Sequence, residues 1–333
     1  MKLSALNTAV VNGALIAASV SLILLSLFIG PADIAPGDTL AALFTDQGAI
    51  SAIIREIRLP RALAAWLAGA CLGAAGAGLQ GLLRNPLADP GVLGVSAAAA
   101  LGAVVALYFN FAAFAFWTTP VAAILSALGA TALLYVLGAG RVSTARLILI
   151  GVGFSSFCGA LISLAMNLSP NPFALTDLMN WLFGTVVNRS FRDLAIAAPF
   201  AGAGLVMIAA VAPGLAALTL GEETAASIGA NLKRTRALVI AGAAFLVGAS
   251  VSVAGAIGFV GIAAPHLARA FAGQNPARIL LPSIMLGGAM LAGADLFIRM
   301  MPFDQELKLG VAAALIGAPG FVWIAATSKR IAS

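Results

Sequence analysis

Long apolar runs separated by short polar breaks dominate this chain. They fall at 10–29, 63–83, 92–109, 116–137 and 147–168, then at 194–211, 238–253, 257–271, 280–297 and 309–326. About 20 apolar residues cross a bilayer as a helix. The pattern therefore predicts an all-α integral membrane protein with ten transmembrane helices in a compact bundle. The eighth run is the shortest and contains Pro265 and His266, which suits a broken or re-entrant segment. The first run follows MKLSALNTA; it is long for the core of a signal peptide, and no convincing small-residue cleavage site follows. It reads as the first span.

Composition and charge add orientation. The chain is 62% hydrophobic and 9% charged, against roughly 25% charged in a soluble domain, so residues 1–333 form one transmembrane domain with no separate soluble part. With ten crossings and the N-terminus inside, 11 of the 18 Lys and Arg fall on the cytoplasmic side against three acids, Asp89, Glu222 and Glu223. That side carries +8 and the outer side −2, as the positive-inside rule requires, so both termini are expected in the cytoplasm. Without the eighth crossing, the basic SKR near the C-terminus would move outside. Glycine is frequent in the spans, and GACLGAAGAGLQG sets Gly69 and Gly73 at the spacing that brings helix backbones close together.

Several chemistries are excluded. There is one histidine, His266, and no cluster of metal-ligand residues. Cys71 and Cys158 lie in apolar runs and read as core. No phosphate-binding G-x-x-x-x-G-K-[ST] loop occurs, so ATP is not bound in that way. The spans hold almost no ionisable residues apart from Asp295, which weakens an ion-coupled carrier. No catalytic residue, metal or cofactor is expected, and no nucleic-acid partner.

The polar breaks carry the candidate sites. RNPLADPGVLGVS, residues 84–96, has two prolines that force Asn85 and Asp89 into a turn, with Gly91 restarting the helix. In RVSTAR, Ser143 and Thr144 suit N-caps of the fifth span. In LTLGEETAASIGANLKR, Thr219 and Glu222 have capping-box spacing and predict a short amphipathic helix over about 219–231. Glu222 and Glu223 would occupy its first turn, with Lys233 and Arg234 beyond its end; Leu220, Ala225, Ile228 and Leu232 recur at near-helical spacing. Such a helix either docks on a partner or lies on the membrane surface. On the outer side, Arg55, Arg58, Arg61 and Arg299 run against the positive-inside rule; each either snorkels or meets a carboxylate. Residues 169–192 read as an outer loop with a short helix. Trp66, Trp117 and Trp181 fall near the outer interface and Trp323 near the inner one.

The stretch RLPRALAAWLAGACLGAAGAGLQGLLRNPLADPGVLGVS closely resembles the FecCD-type permease subunits of ABC importers for iron-siderophores, haem and cobalamin. RVSTARLILIGV, LGEETAASIGANLKRTR, GAIGFVGIAAPHLAR, RILLPSIMLGGAMLAGADLFIR and LKLGVAAALIGAPGFVWI continue the likeness in order over nearly the whole chain. The resemblance implies a permease in the bacterial cytoplasmic membrane, with ATP hydrolysis in two separate ATP-binding cassette subunits. It also implies a periplasmic or lipid-anchored substrate-binding protein and a second permease copy, a homodimer. It maps a cytoplasmic gate onto Asn85, Leu87, Ser143 and Thr144, and ATPase coupling onto Gly221, Glu222, Glu223, Ala226, Ile228 and Gly229. Binding-protein docking maps onto Arg58, Arg61 and Arg299. A ferric siderophore is the first expectation for cargo on family frequency, with haem and cobalamin next; a stand-alone secondary carrier is the more distant alternative.

Overall fold

The computed structural model describes residues 8–46, 48–91, 93–137, 144–302 and 306–327. They are helical throughout, with no strand among the described residues. Each apolar run is met by one helix: α1 (Thr8–Phe28), α4 (Leu59–Leu83), α5 (Val95–Tyr108), α6 (Thr118–Leu137), α7 (Thr144–Asn167), α9 (Phe191–Ala210), α12 (Leu232–Ala254), α13 (Val260–Ala272), α14 (Pro276–Met300) and α15 (Leu309–Thr327). Shorter helices lie in the breaks: α2 (Pro36–Phe44), α3 (Ala49–Ala52), α8 (Pro172–Phe183), α10 (Ala212–Leu218) and α11 (Glu222–Ser227). Six helices are long and apolar enough to cross a membrane, and α5, α6 and α15 are shorter apolar helices.

α4 is the axis of the packing. It touches α1, α9, α12, α13 and α14, and 18 of its residues, nearly all Ala, Gly or Leu, are buried. Lipid tails supply no hydrophobic drive between helices, so close backbone contact has to hold them. At Gly69 a Cβ would sit 2.0 Å from the Gly287 carbonyl oxygen of α14, a separation no side chain tolerates. The small-residue spacing at Gly69 and Gly73 thus marks the α4–α14 seam. α1, α7 and α9 sit outside this centre and turn most of their apolar surface outward.

α4 begins before its apolar run. α3 leads through a single π turn, Ile53–Arg58, into α4 as one helix, Ala49–Leu83. The eighth run starts late: Gly255 at φ +72 and Phe259 at φ +68 break the chain after α12, and helix resumes only at Val260. Pro265 inside α13 has no N–H for the Gly261 carbonyl one turn earlier. That carbonyl accepts instead from Gln80 Nε2 of α4, at 3.2 Å.

Candidate functional site

At one end of the bundle α4 stops at Arg84, which takes the left-handed conformation (φ 51). Asn85 then builds the turn: its Oδ1 accepts from the Leu87 N–H at 2.9 Å, and its carbonyl accepts from the Ala88 N–H at 3.1 Å. Asp89 makes the second half, accepting from the Gly91 N–H at 2.7 Å. Burial raises the Asp89 carboxyl above its ordinary pKa, and the Gly91 N–H pulls the other way. Helix does not restart at Gly91, as the sequence suggested. It restarts at Val95, after Gly94 turns the chain at φ +78. Leu87 points outward, 37% exposed.

Gln80 underlies this turn, and the motif reading passed over it. It is 2% exposed, one amide in a helix of small apolar residues, and every part of it is engaged. Nε2 donates to the Ala88 carbonyl in the turn and to the Gly261 carbonyl of α13, each at 3.2 Å; Oε1 accepts from Arg269 of α13 at 2.5 Å. Gln80 therefore ties the turn to α13. The signal was legible: an isolated glutamine in a span, and a proline that must leave one carbonyl unpaired elsewhere. Of the expected gate partners, Thr144 opens α7 and Ser143 lies outside the described residues. The N-cap reading of Ser143 falls there too.

The 219–231 segment differs from the helix expected. Thr219 and Glu222 form no capping box; the Thr219 hydroxyl donates to the Ala216 carbonyl at 2.7 Å and closes α10. Gly221, at φ +101, then turns the chain, and α11 holds only Glu222–Ser227. Gly229, at φ +87, ends the unit. Lys233 and Arg234 sit in the first turn of α12, where Asn231 Oδ1 accepts from the Arg234 N–H at 3.0 Å, rather than at the end of α11. The expected apolar stripe splits. Ala225 is fully buried as the anchor, whereas Leu220 and Ile228 are 62% and 61% exposed. Glu222 pairs with Arg236 of α12 at 2.5 Å, and Glu223, Ala226 and Gly229 are exposed. The result is a small knob bounded by glycines, with two bare aliphatic side chains.

At the opposite end of α4 the arginines turn inward. Arg58 is 3% exposed and donates to the carbonyls of Leu27, at 2.7 Å, and Ala32. Arg299 of α14 donates to the Ser26 and Ile29 carbonyls at 3.0 and 2.8 Å. Together they satisfy the carbonyls that helix α1 leaves open at its end. Arg55 does the same for α2, donating to Ala42 and Thr45 at 2.7 and 3.1 Å. Arg61 meets Asp295 at 2.7 Å and also Glu306, which stands at the rim. The three arginines expected to await a partner's carboxylates are thus engaged within the chain, and only Arg61 pairs with an acid that is itself accessible.

The 169–192 segment is more deeply embedded than a loop. Asn171 caps α8 through the Ala174 N–H at 2.9 Å, and Leu178 and Trp181 of α8 are buried. The Trp181 carbonyl accepts from the Ala256 N–H at 3.2 Å, and the Thr185 N–H donates to Ala254 at 2.8 Å. Trp181 is therefore no lipid-facing belt residue: it packs inside with Arg189 over its ring at 5.0 Å. Trp117 is exposed. His266 lies within α13, and its Nδ1 has no partner among the described residues.

The chain matches the model of the FecCD transport family over residues 16–327. It is 38% identical over 308 residues to the vitamin B12 import system permease protein BtuC of Salmonella typhimurium, covering 92% of both chains. Identity to the BtuC of Klebsiella pneumoniae is 37%, covering 92% of this chain and 90% of that one. A solved structure of a metal-chelate type ABC transporter in an inward-facing conformation superposes with a TM-score of 0.84 at 29% identity, over 97% of this chain and 100% of that one. The chain belongs to the FecCD transport family and is a multi-pass inner-membrane permease of an ABC importer.

Proposed function

We propose that this permease carries a cobalamin-type corrinoid, a large metal chelate, from a substrate-binding protein to the cytoplasm. The observation that carries this is the match to vitamin B12 permeases across 92% of both chains. The sequence alone favoured a ferric siderophore, and the likeness to a metal-chelate transporter keeps that as the second reading. In this proposal ten helices cross, with both termini in the cytoplasm, and two copies enclose the pathway. The turn at Asn85 and Leu87 closes its inner mouth together with the start of α7 at Ser143 and Thr144. A lining of small apolar residues offers cargo no tight site, so delivery and direction come from partners.

Two ATP-binding cassette subunits seat the knob at 221–229. Ile228 and Leu220 are the insertable side chains, and the Glu222–Arg236 pair holds the knob on α12, so a push there reaches α12 and the core. At the outer face, Arg61 beside Glu306 meets the binding protein directly, while Arg58 and Arg299 hold α1 and so shape the docking face. The test is uptake by cells lacking this subunit, using labelled cobalamin, haem and ferric siderophores. Rescue of cobalamin uptake by the wild type is expected; rescue of siderophore uptake alone would overturn the cargo. Ile228→Asp should abolish both uptake and co-purification of the ATPase while leaving the permease's thermal melting unchanged. Retained co-purification would overturn the role of the knob.

A further inference from the structure

A cavity of about 250 Å³ opens beside the 84–91 turn, between the end of α4, the end of α10, the end of α13 and the start of α14. Gln80, Arg84, Thr219, Arg269, Gln274 and Pro276 contribute to its wall. Two arginines therefore contribute to one small space, Arg84 exposed and Arg269 partly buried, and no carboxylate is among the described residues that line it. None of the acids in the neighbouring segments offsets them. Asp89 accepts from Gly91, Glu222 pairs with Arg236, and among the described residues neither arginine makes an ion pair with these or with Glu223. Arg269 gives one nitrogen to Gln80 Oε1, and its Nη1 is buried with no partner among the described residues.

A partly buried cation without a counter-charge, as at Arg269, is costly. The start of α14 reinforces the same sign. Pro276 in its first turn lines the cavity, so the positive end of the helix lies at the wall, with its N–H groups already taken: Asn275 Oδ1 accepts from the Ala277 N–H at 2.9 Å and the Asn275 carbonyl from the Arg278 and Ile279 N–H groups at 3.0 and 3.2 Å. Planar guanidinium forks suit the oxygens of a phosphate group. At the cytoplasmic surface of a membrane the phosphate at highest local concentration belongs to anionic lipid, and basic pockets between spanning helices on that side take such headgroups.

We infer that the Arg84–Arg269 cavity is a binding site for a phosphate-bearing anion, supplied by an anionic phospholipid headgroup, that neutralises this pair and steadies the turn beneath the inner mouth. Its placement on the cytoplasmic side rests on the orientation proposed above. The test is native mass spectrometry of delipidated full-length permease titrated with phosphatidylglycerol, phosphatidylcholine or inorganic phosphate. Wild type, Arg84→Gln and Gln274→Glu are compared; the last adds a carboxylate to the wall without touching the Arg269–Gln80 contact. One saturable phosphatidylglycerol site is expected, at least fivefold weaker in both variants and absent for phosphatidylcholine.

Phosphate binding that both variants weaken, without a lipid preference, would keep the anion site and overturn the lipid source. Equal binding by wild type and variants, or none of either ligand, would overturn the site. The titration reads binding whichever way the protein faces. Labelling of a Gln274→Cys variant by an impermeant maleimide in intact spheroplasts would overturn the sidedness alone.

Discussion

Arg58 shows how one side chain can be read in two ways. In sequence it is a base on the disfavoured side of the membrane, next to Arg61 and suited to a partner's carboxylates. In the structure its guanidinium closes two carbonyls at and beyond the end of α1, from Leu27 and Ala32. Arg58→Ala would leave the buried Leu27 carbonyl unpaired, at about 1–3 kcal/mol, while the exposed Ala32 carbonyl turns to water. Thermal melting of the purified permease should fall accordingly, with Arg58→Lys recovering only part because an ammonium cannot span two carbonyls as a planar fork does. An unchanged melting temperature with weakened binding-protein affinity would instead mark Arg58 as a docking residue. The residue type and its side of the membrane were legible. Its partners were not, because Leu27 lies 31 positions away and offers only a backbone oxygen, which no sequence motif records.

Among the helices, the α4–α14 seam depends on glycine and the lipid-facing surfaces do not. Gly69→Leu would drive a side chain into the Gly287 carbonyl, so α4 and α14 must separate and the whole core with them. Overpacking of this kind costs at least about 1–3 kcal/mol, and a steep loss of folded protein in detergent extracts is expected. Gly202 of α9, with nothing within 4 Å of its added Cβ, is the control. Gly202→Ala should be neutral or stabilising by up to about 1 kcal/mol through the unfolded chain. Equal behaviour of the two variants would refute the seam. The GxxxG spacing pointed at Gly69 from sequence. α11 is the contrasting case: its apolar repeat predicted a helix of about thirteen residues, and Gly221 and Gly229 at positive φ cut it to Glu222–Ser227. A glycine's backbone freedom overrode the side-chain period there.

For the whole molecule, the unequal burial of the helices points to what surrounds it. α4 and α12 are enclosed, whereas α7 exposes Leu149, Phe157 and Leu164 as a stripe. Spacings of eight and seven residues keep these on one helical face. In the two-copy assembly proposed here this stripe is the expected contact between copies. Phe157→Cys, in a background with Cys71 and Cys158 replaced, should form a disulfide-linked dimer in membranes. Val206→Cys, an exposed position on α9, should stay monomeric. Equal cross-linking at both would assign the α7 stripe to lipid.

Sequence alone determined the class, the positions of the apolar helices and the polar segments of interest, because hydropathy and proline or glycine punctuation act locally. It also placed the small residues that set the α4–α14 approach, since close packing in lipid has few other means. Tertiary structure alone decided which polar atoms meet. Gln80 joins a turn eight residues on to a carbonyl freed by Pro265 in another helix, and Arg299 closes α1 from the far end of the chain. It also decided that Trp181 is core and that Ile228 is bare. These outcomes depend on which helices become neighbours in space, and a backbone acceptor or a buried face leaves no mark on the residue that will meet it.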